Sequence, residues 1–204
     1  MRKYDAVFFD LDGTLSESGE GILWCVRRTI EDLKIVVPEN FRLESFIGPP
    51  LADSFYRLGL DDEKVKLGVK TYKSYYDTKG KYMNKAYDGI KELLERLREK
   101  GYKLGVATSK YELFARQIID NIGLLQYFDF VSGATANAER QKKIDVLNYG
   151  IKNLGATPEN SALIGDTKFD AEGARLCGCG FVGVLYGYGT CLLYTSDAAD
   201  DLIG

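Results

Sequence analysis

Histidine is absent from this 204-residue chain. Without an imidazole there is no Ser-His-Asp triad, no His-ligated zinc and no histidine general base, so any chemistry must run on carboxylates, hydroxyls, lysines or thiols. Cysteine is scarce. Cys25, Cys177, Cys179 and Cys191 lack the paired CxxC spacing of a metal site, and Cys177-Gly-Cys179 is too close for an ordinary disulfide. They read as small buried or incidental thiols. No apolar run approaches the roughly 20 residues of a membrane helix, and Met1-Arg2-Lys3 leads toward a strand rather than a signal peptide's apolar stretch, so a cytoplasmic protein with no membrane partner is expected. Positive charge is not in excess either. With 27 basic against 30 acidic residues and a net charge of −3, the chain offers no broad basic field for a nucleic acid polymer. A small anionic substrate would need a local cationic pocket.

What is present is an ordinary globular composition, 45% hydrophobic and 28% charged, long enough for one sizeable core with or without a smaller insert. Four short apolar runs each stop at a polar or small residue: Ala6–Phe9 before Asp10, Leu104–Ala107 before Thr108, Ala162–Ile164 before Gly165-Asp166, and Phe181–Leu185. Continuous rather than alternating apolarity predicts strands buried on both faces. Helical patterns lie between them. Ile90, Leu93, Leu94 and Leu97 repeat at helical spacing from an Asp88 cap to a Gly101 stop, and Tyr111, Phe114, Ala115, Ile118, Ile119 and Ile122 do the same before Gly123. Strand alternating with helix predicts an α/β fold, a doubly wound parallel sheet.

Residues 16–84 break the alternation. They show no convincing strand, but they carry helical patterns over Glu20–Lys34, Leu51–Leu58 and Asp61–Lys79. A helical domain inserted after the first strand is therefore expected at 16–84, with the core formed by 1–15 and 85–190. The last stretch, 191–204, reads poorly as strand or capped helix. One set of codons for it matches a transposon-end sequencing adapter, so it is read as a non-native tail that interrupts the chain near Thr190.

In an open parallel sheet, ligands bind beyond the carboxyl ends of the strands. Asp10, Asp12, Thr108 and Asp166 all fall there. Asp10 and Asp12 stand two apart, on one side of extended chain, and Gly13 frees the backbone to turn. Two carboxylates held close repel unless a proton or cation intervenes, which favours a divalent metal. Oxygen donors without sulfur or imidazole favour Mg²⁺.

Asp10-Leu-Asp12-Gly-Thr14-Leu15, Val106-Ala-Thr108-Ser-Lys110, Lys143-Ile-Asp-Val146 and Gly165-Asp166-Thr-Lys-Phe-Asp170 resemble, in order, the four motifs of the haloacid dehalogenase-like hydrolases. The resemblance covers essentially the whole chain to about Tyr188. The insert resembles the helical cap of the phosphoglycolate phosphatase-like branch. Phe46-Ile-Gly-Pro-Pro-Leu51 with Tyr87-Asp88-Gly89-Ile90 is most similar to its bacterial 5′-nucleotidase-like members. This implies a Rossmann-like core, a Mg²⁺ cofactor and hydrolysis of a small phosphorylated metabolite, by a monomer or a homodimer. It further implies that Asp10 attacks phosphorus and Asp12 serves as general acid and base. The metal would be held by Asp10, the Asp12 main-chain carbonyl and Asp166. Thr108 and the Ser109 N–H would hold a phosphoryl oxygen, Lys143 would offset charge, and Asp170 would support the metal or position Lys143.

Taken singly, each residue has a plainer explanation: a turn at Asp12-Gly13, a helix cap at Thr108 or Asp166, a solvated lysine at Lys143. Independent turns and caps have no reason to gather at one rim. Lys110 and Lys168 are candidates for substrate contact and the aromatics of the insert for nucleobase stacking, but solvent and helix packing are the expected places for them, with any substrate selectivity residing in that insert. Two alternatives stand beside the phosphatase. A phosphosugar mutase of the same superfamily is disfavoured because mutase relatives use a cap histidine. A non-catalytic phosphate-binding regulator has no need of two reacting carboxylates.

Overall fold

The computed structural model describes residues 3–136 and 139–189, together with the backbone of Leu202–Ile203. Strand β1 (Ala6–Phe9) is followed by two short strands, β2 (Ser16–Glu17) and β3 (Lys85–Ala86). Then come β4 (Lys103–Tyr111), β5 (Phe130–Ala134), β6 (Ser161–Gly165), β7 (Gly180–Val184) and β8 (Leu202–Ile203). The main sheet runs β5-β4-β1-β6-β7-β8, and every pairing in it is parallel. β1 lies between β4 and β6, so its exit is flanked by two other strand exits. This is the α/β class expected from the sequence.

The chain divides into two compact units, Met1–Glu17 with Lys85–Gly204, and Ser18–Asn84. Helices α1 (Gly19–Asp32), α2 (Leu51–Tyr56) and α3 (Asp62–Thr78) belong to the second unit. Helices α4 (Ile90–Glu99), α5 (Glu112–Asn121), α6 (Lys143–Asn153) and α7 (Lys168–Cys177) flank the sheet of the first. No helix among the described residues is long and apolar enough to cross a membrane.

The sheet unit is held by a core in which Ala6, Phe8, Ala107 and Leu163 from the strands meet Val146, Leu147 and Ile151 of α6 and Ala174 of α7. Phe8 is fully buried, and its ring fills space that Gly105 and Gly150 leave open: a Cβ at Gly150 would stand 2.7 Å from Phe8 Cε1. The central strand thus carries a large ring because its neighbours give up their side chains. In the helical unit, Phe46, Phe55, Tyr72 and Tyr76 are buried. Phe46 packs edge-on against Phe55 at 5.1 Å and Tyr72 stacks on Tyr76 at 5.6 Å, the packing role expected for these rings.

Several expectations need correction. The sequence pattern does not announce β5, because Phe-Val-Ser-Gly-Ala is short and three of its five residues are small. β2 and β3 pair antiparallel where the chain leaves and re-enters the sheet unit, Ser16 opposite Ala86 and Glu17 opposite Lys85. Residues 16 and 17 therefore belong with the sheet unit, since two-residue strands carry no periodicity to read. Asp88 does not cap α4; Gly89 does, at φ +80°, a left-handed conformation that glycine adopts without penalty. The tail expected at 191–204 falls mostly on residues outside those described, Cys191 included.

Candidate active site

Asp10 follows β1 directly, and its N–H donates to Ile164 O at 2.9 Å, so it stands at the exit of the central strand. The residue is 6% exposed. Lys143, the first residue of α6, is 7% exposed. Its Nζ donates to Asp10 Oδ1 at 2.6 Å and to Ala107 O at 2.9 Å. Asp170 Oδ1 lies 2.7 Å from the same ammonium, off the hydrogen-bond direction, and is otherwise without a donor. Asp170 Oδ2 accepts from the Thr167 N–H at 3.0 Å and its hydroxyl at 2.6 Å. Asp170 therefore both caps α7 and faces Lys143. Lys142, one residue earlier, is exposed.

Asp166, at the exit of β6, is 1% exposed. Its Oδ1 accepts from Thr14 Oγ1 at 3.2 Å, and its Oδ2 accepts from the N–H groups of Tyr188 at 2.7 Å and Gly189 at 3.3 Å. Gly13, at φ +89°, has no room for a side chain, because a Cβ there would meet the Asp166 carboxylate. Glycine is thus required by conformation and by close approach together. Thr108 is 2% exposed and accepts from the Lys110 N–H at 3.2 Å. Ser109 is exposed beside it.

Asp12 lies apart from this carboxyl group. Its Oδ2 pairs with Lys110 Nζ at 2.9 Å, with the two side chains 19% and 12% exposed, and its buried Oδ1 has no hydrogen-bond partner. Lys110 is thus a partner of the second carboxylate rather than the solvated residue expected from sequence. Lys168 is exposed as expected. The structure also adds groups that sequence reasoning missed. Tyr188 and Gly189 reach Asp166 through main-chain N–H groups, which no residue pattern announces. Arg140 donates to Gly133 O at 2.8 Å, pairs with Glu112 at 2.6 Å and lies 3.8 Å over the Tyr149 ring. It thereby ties the exit of β5 to the start of α5.

The electrostatics follow from burial. Desolvation pushes Asp10 up to about 7 against the opposing pull of Lys143, with Asp170 and Asp166 adding to the rise. Asp166 is raised to about 6, again chiefly by desolvation, while the Tyr188 N–H works in the other direction. Lys143 loses by burial but is held above the usual lysine range by Asp10 and Asp170. One ammonium therefore faces more carboxylate charge than it can balance.

Asp10, Asp166 and Asp170 each offer a carboxylate oxygen, all within 4.8 Å of one another and all buried. Three hard oxygen donors and surplus negative charge fit a small divalent cation. The trio includes Asp170, whereas the expected side-chain and main-chain set named Asp12.

The family model for haloacid dehalogenase-like hydrolases matches residues 7–184. The chain belongs to this family. It is 36% identical over 189 residues to the 5′-nucleotidase of Pseudomonas aeruginosa, covering 92% of this chain and 86% of that one. It is 37% identical over 183 residues to the tyrosine-protein kinase PtkA of Mycobacterium tuberculosis, covering 90% of this chain but 62% of that relative's length. Among solved structures, a haloacid dehalogenase-like hydrolase from Streptococcus pneumoniae superposes with a TM-score of 0.88 at 33% identity, covering 97% and 93% of the two chains.

Proposed function

We propose that the chain is a Mg²⁺-dependent phosphatase that hydrolyses a small-metabolite phosphate monoester through an aspartyl-phosphate on Asp10. The observation that carries this reading is the pairing of two carboxylates two residues apart with two different lysines. Asp10 sits on Lys143 at 2.6 Å, and Asp12 sits on Lys110 at 2.9 Å. One carboxylate belongs to a residue only 6% exposed and is held against a fixed ammonium, which suits a nucleophile that must not drift. The other is less buried and keeps one oxygen without a partner, which suits a group that takes up and returns a proton.

In the reaction, an Asp10 oxygen attacks phosphorus, the bond from phosphorus to the ester oxygen breaks, and Asp12 gives its proton to the leaving alkoxide. Asp12, now a carboxylate, takes a proton from the water that attacks the phosphoryl group. The acyl–phosphate bond then breaks, releasing inorganic phosphate and restoring Asp10. Lys143 offsets charge on the equatorial oxygens, and the Thr108 hydroxyl and Ser109 N–H hold one of them. Asp10, Asp166 and Asp170, or the Asp12 carbonyl in place of Asp170, would hold Mg²⁺, which when bound shields the nucleophile and phosphate from mutual repulsion. Relatives named 5′-nucleotidase and phosphoglycolate phosphatase point to a nucleoside monophosphate or a small phosphorylated acid as substrate, handled by a cytoplasmic enzyme.

Phosphate release from a panel of nucleotides, phosphoglycolate and sugar phosphates, with Mg²⁺ or with chelator, tests the proposal. Release that requires Mg²⁺ and disappears in Asp10→Asn is expected. Release by Asp10→Asn at the wild-type rate would remove Asp10 from the mechanism.

A further inference from the structure

The segment leaving β7 is absent from the motifs that define the site, yet it surrounds Asp166. Tyr188 and Gly189 donate to Asp166 Oδ2 at 2.7 and 3.3 Å. Thr14 donates to Oδ1 at 3.2 Å. Three donors take up three of the roughly four lone-pair sites of a carboxylate, leaving Oδ1 as the oxygen with a lone pair to give.

Two glycines clamp the same side chain. A Cβ at Gly13 would meet the Asp166 carboxylate, and a Cβ at Gly187 would meet Asp166 Cβ, Asp166 Oδ2 and the Gly13 carbonyl. The Asp166 side chain is therefore flanked by main chain on both sides, and a side chain at either glycine would push against it. Tyr186 fastens the segment in turn. Its hydroxyl donates to Thr14 O at 3.0 Å, in the turn that carries Gly13, and its ring packs on Tyr87 with centroids 4.7 Å apart.

Resting on the metal reading above, we propose that Tyr186–Gly189 is a positioning segment that orients Asp166 for a divalent cation, so that the exit of β7 sets metal affinity. Groups behind a ligand commonly change metal affinity by about 10–100-fold when altered. The segment exerts that control through N–H donors and through side chains it lacks.

Mn²⁺ binding to the full chain, measured by titration calorimetry, tests the proposal on wild type, Gly187→Ala, Tyr186→Phe and Asp166→Asn. Circular dichroism of each in chelator reports the fold. Gly187→Ala is expected to weaken Mn²⁺ binding at least about tenfold. Tyr186→Phe should weaken it several-fold, and raised Mn²⁺ should restore turnover in both with substrate KM unchanged. Wild-type Mn²⁺ affinity in a folded Gly187→Ala overturns the proposal. If that variant does not fold, wild-type affinity in Tyr186→Phe overturns it. A wild-type chain that binds no Mn²⁺ removes the metal reading of the site and this proposal with it, an outcome distinct from binding that the variants leave unchanged.

Discussion

Replacing Lys143 by methionine keeps much of the side-chain volume and removes the ammonium. Lys143 Nζ stands 2.6 Å from Asp10 and 2.7 Å from Asp170. At an effective dielectric of about 20, each contact is a gross attraction of about 6 kcal/mol. Burial of the ions offsets much of this, and breaking a buried pair by deleting one partner costs about 3–5 kcal/mol overall, because the remaining charge is stranded. Lys143→Met should therefore lower unfolding free energy by about 3–5 kcal/mol in urea titrations at pH 8 in chelator. At pH 5 the loss should be much smaller. Asp10, already raised to about 7, is then protonated in wild type too, so removing the ammonium strands less charge. A loss below about 1 kcal/mol at pH 8, the range of an exposed ion pair, or equal losses at both pH values, would refute the view of Lys143 as the counter-charge of a buried acid cluster.

The metal-free protein should lose stability as pH rises from about 4 to about 7. Asp10 and Asp166, raised to about 7 and about 6, bind protons more tightly folded than unfolded across that window. Lys143, raised by Asp10 and Asp170, keeps its proton throughout that window, so its own titration adds no slope there and its stabilising contribution is lost only as pH rises above the lysine range. Mg²⁺ should consequently raise Tm more at pH 8 than at pH 5.5, and equal shifts would count against cation binding by the acid cluster. Arg140→Ala removes the Glu112 pair, the Gly133 bond and the stack on Tyr149. A stability loss of about 2–3 kcal/mol with reduced turnover is expected, and unchanged denaturation would show the clamp to be idle. Gly150→Ala drives a Cβ toward Phe8 Cε1, 2.7 Å away. Overpacking of this kind costs about 1–3 kcal/mol, and a neutral result would mean that the ring can shift.

The sequence made the sheet readable where apolar runs were continuous, as in Ala6–Phe9 and Ala162–Ile164. It also placed Asp10 and Asp166 at strand exits, whereas Lys143 entered only through the family resemblance. β5 was hidden because in Phe-Val-Ser-Gly-Ala the apolar run stops after two residues. The Gly89 cap was hidden because a left-handed residue can replace a side-chain cap. Lys110 was misplaced in solvent because its pairing with Asp12 depends on three-dimensional proximity between β4 and the turn after β1. The hold on Asp166 escaped for a different reason: it is made of N–H groups and missing side chains, which residue identity alone does not display.

The nucleophile itself can be trapped. Quenching the enzyme during turnover, reducing acyl phosphates with borohydride and mapping the modified peptide by mass spectrometry should place the reduced residue at position 10 and nowhere in Asp10→Asn. Steady phosphate release with Asp10 unmodified, or with the label on another carboxylate, would contradict an aspartyl-phosphate at the exit of β1.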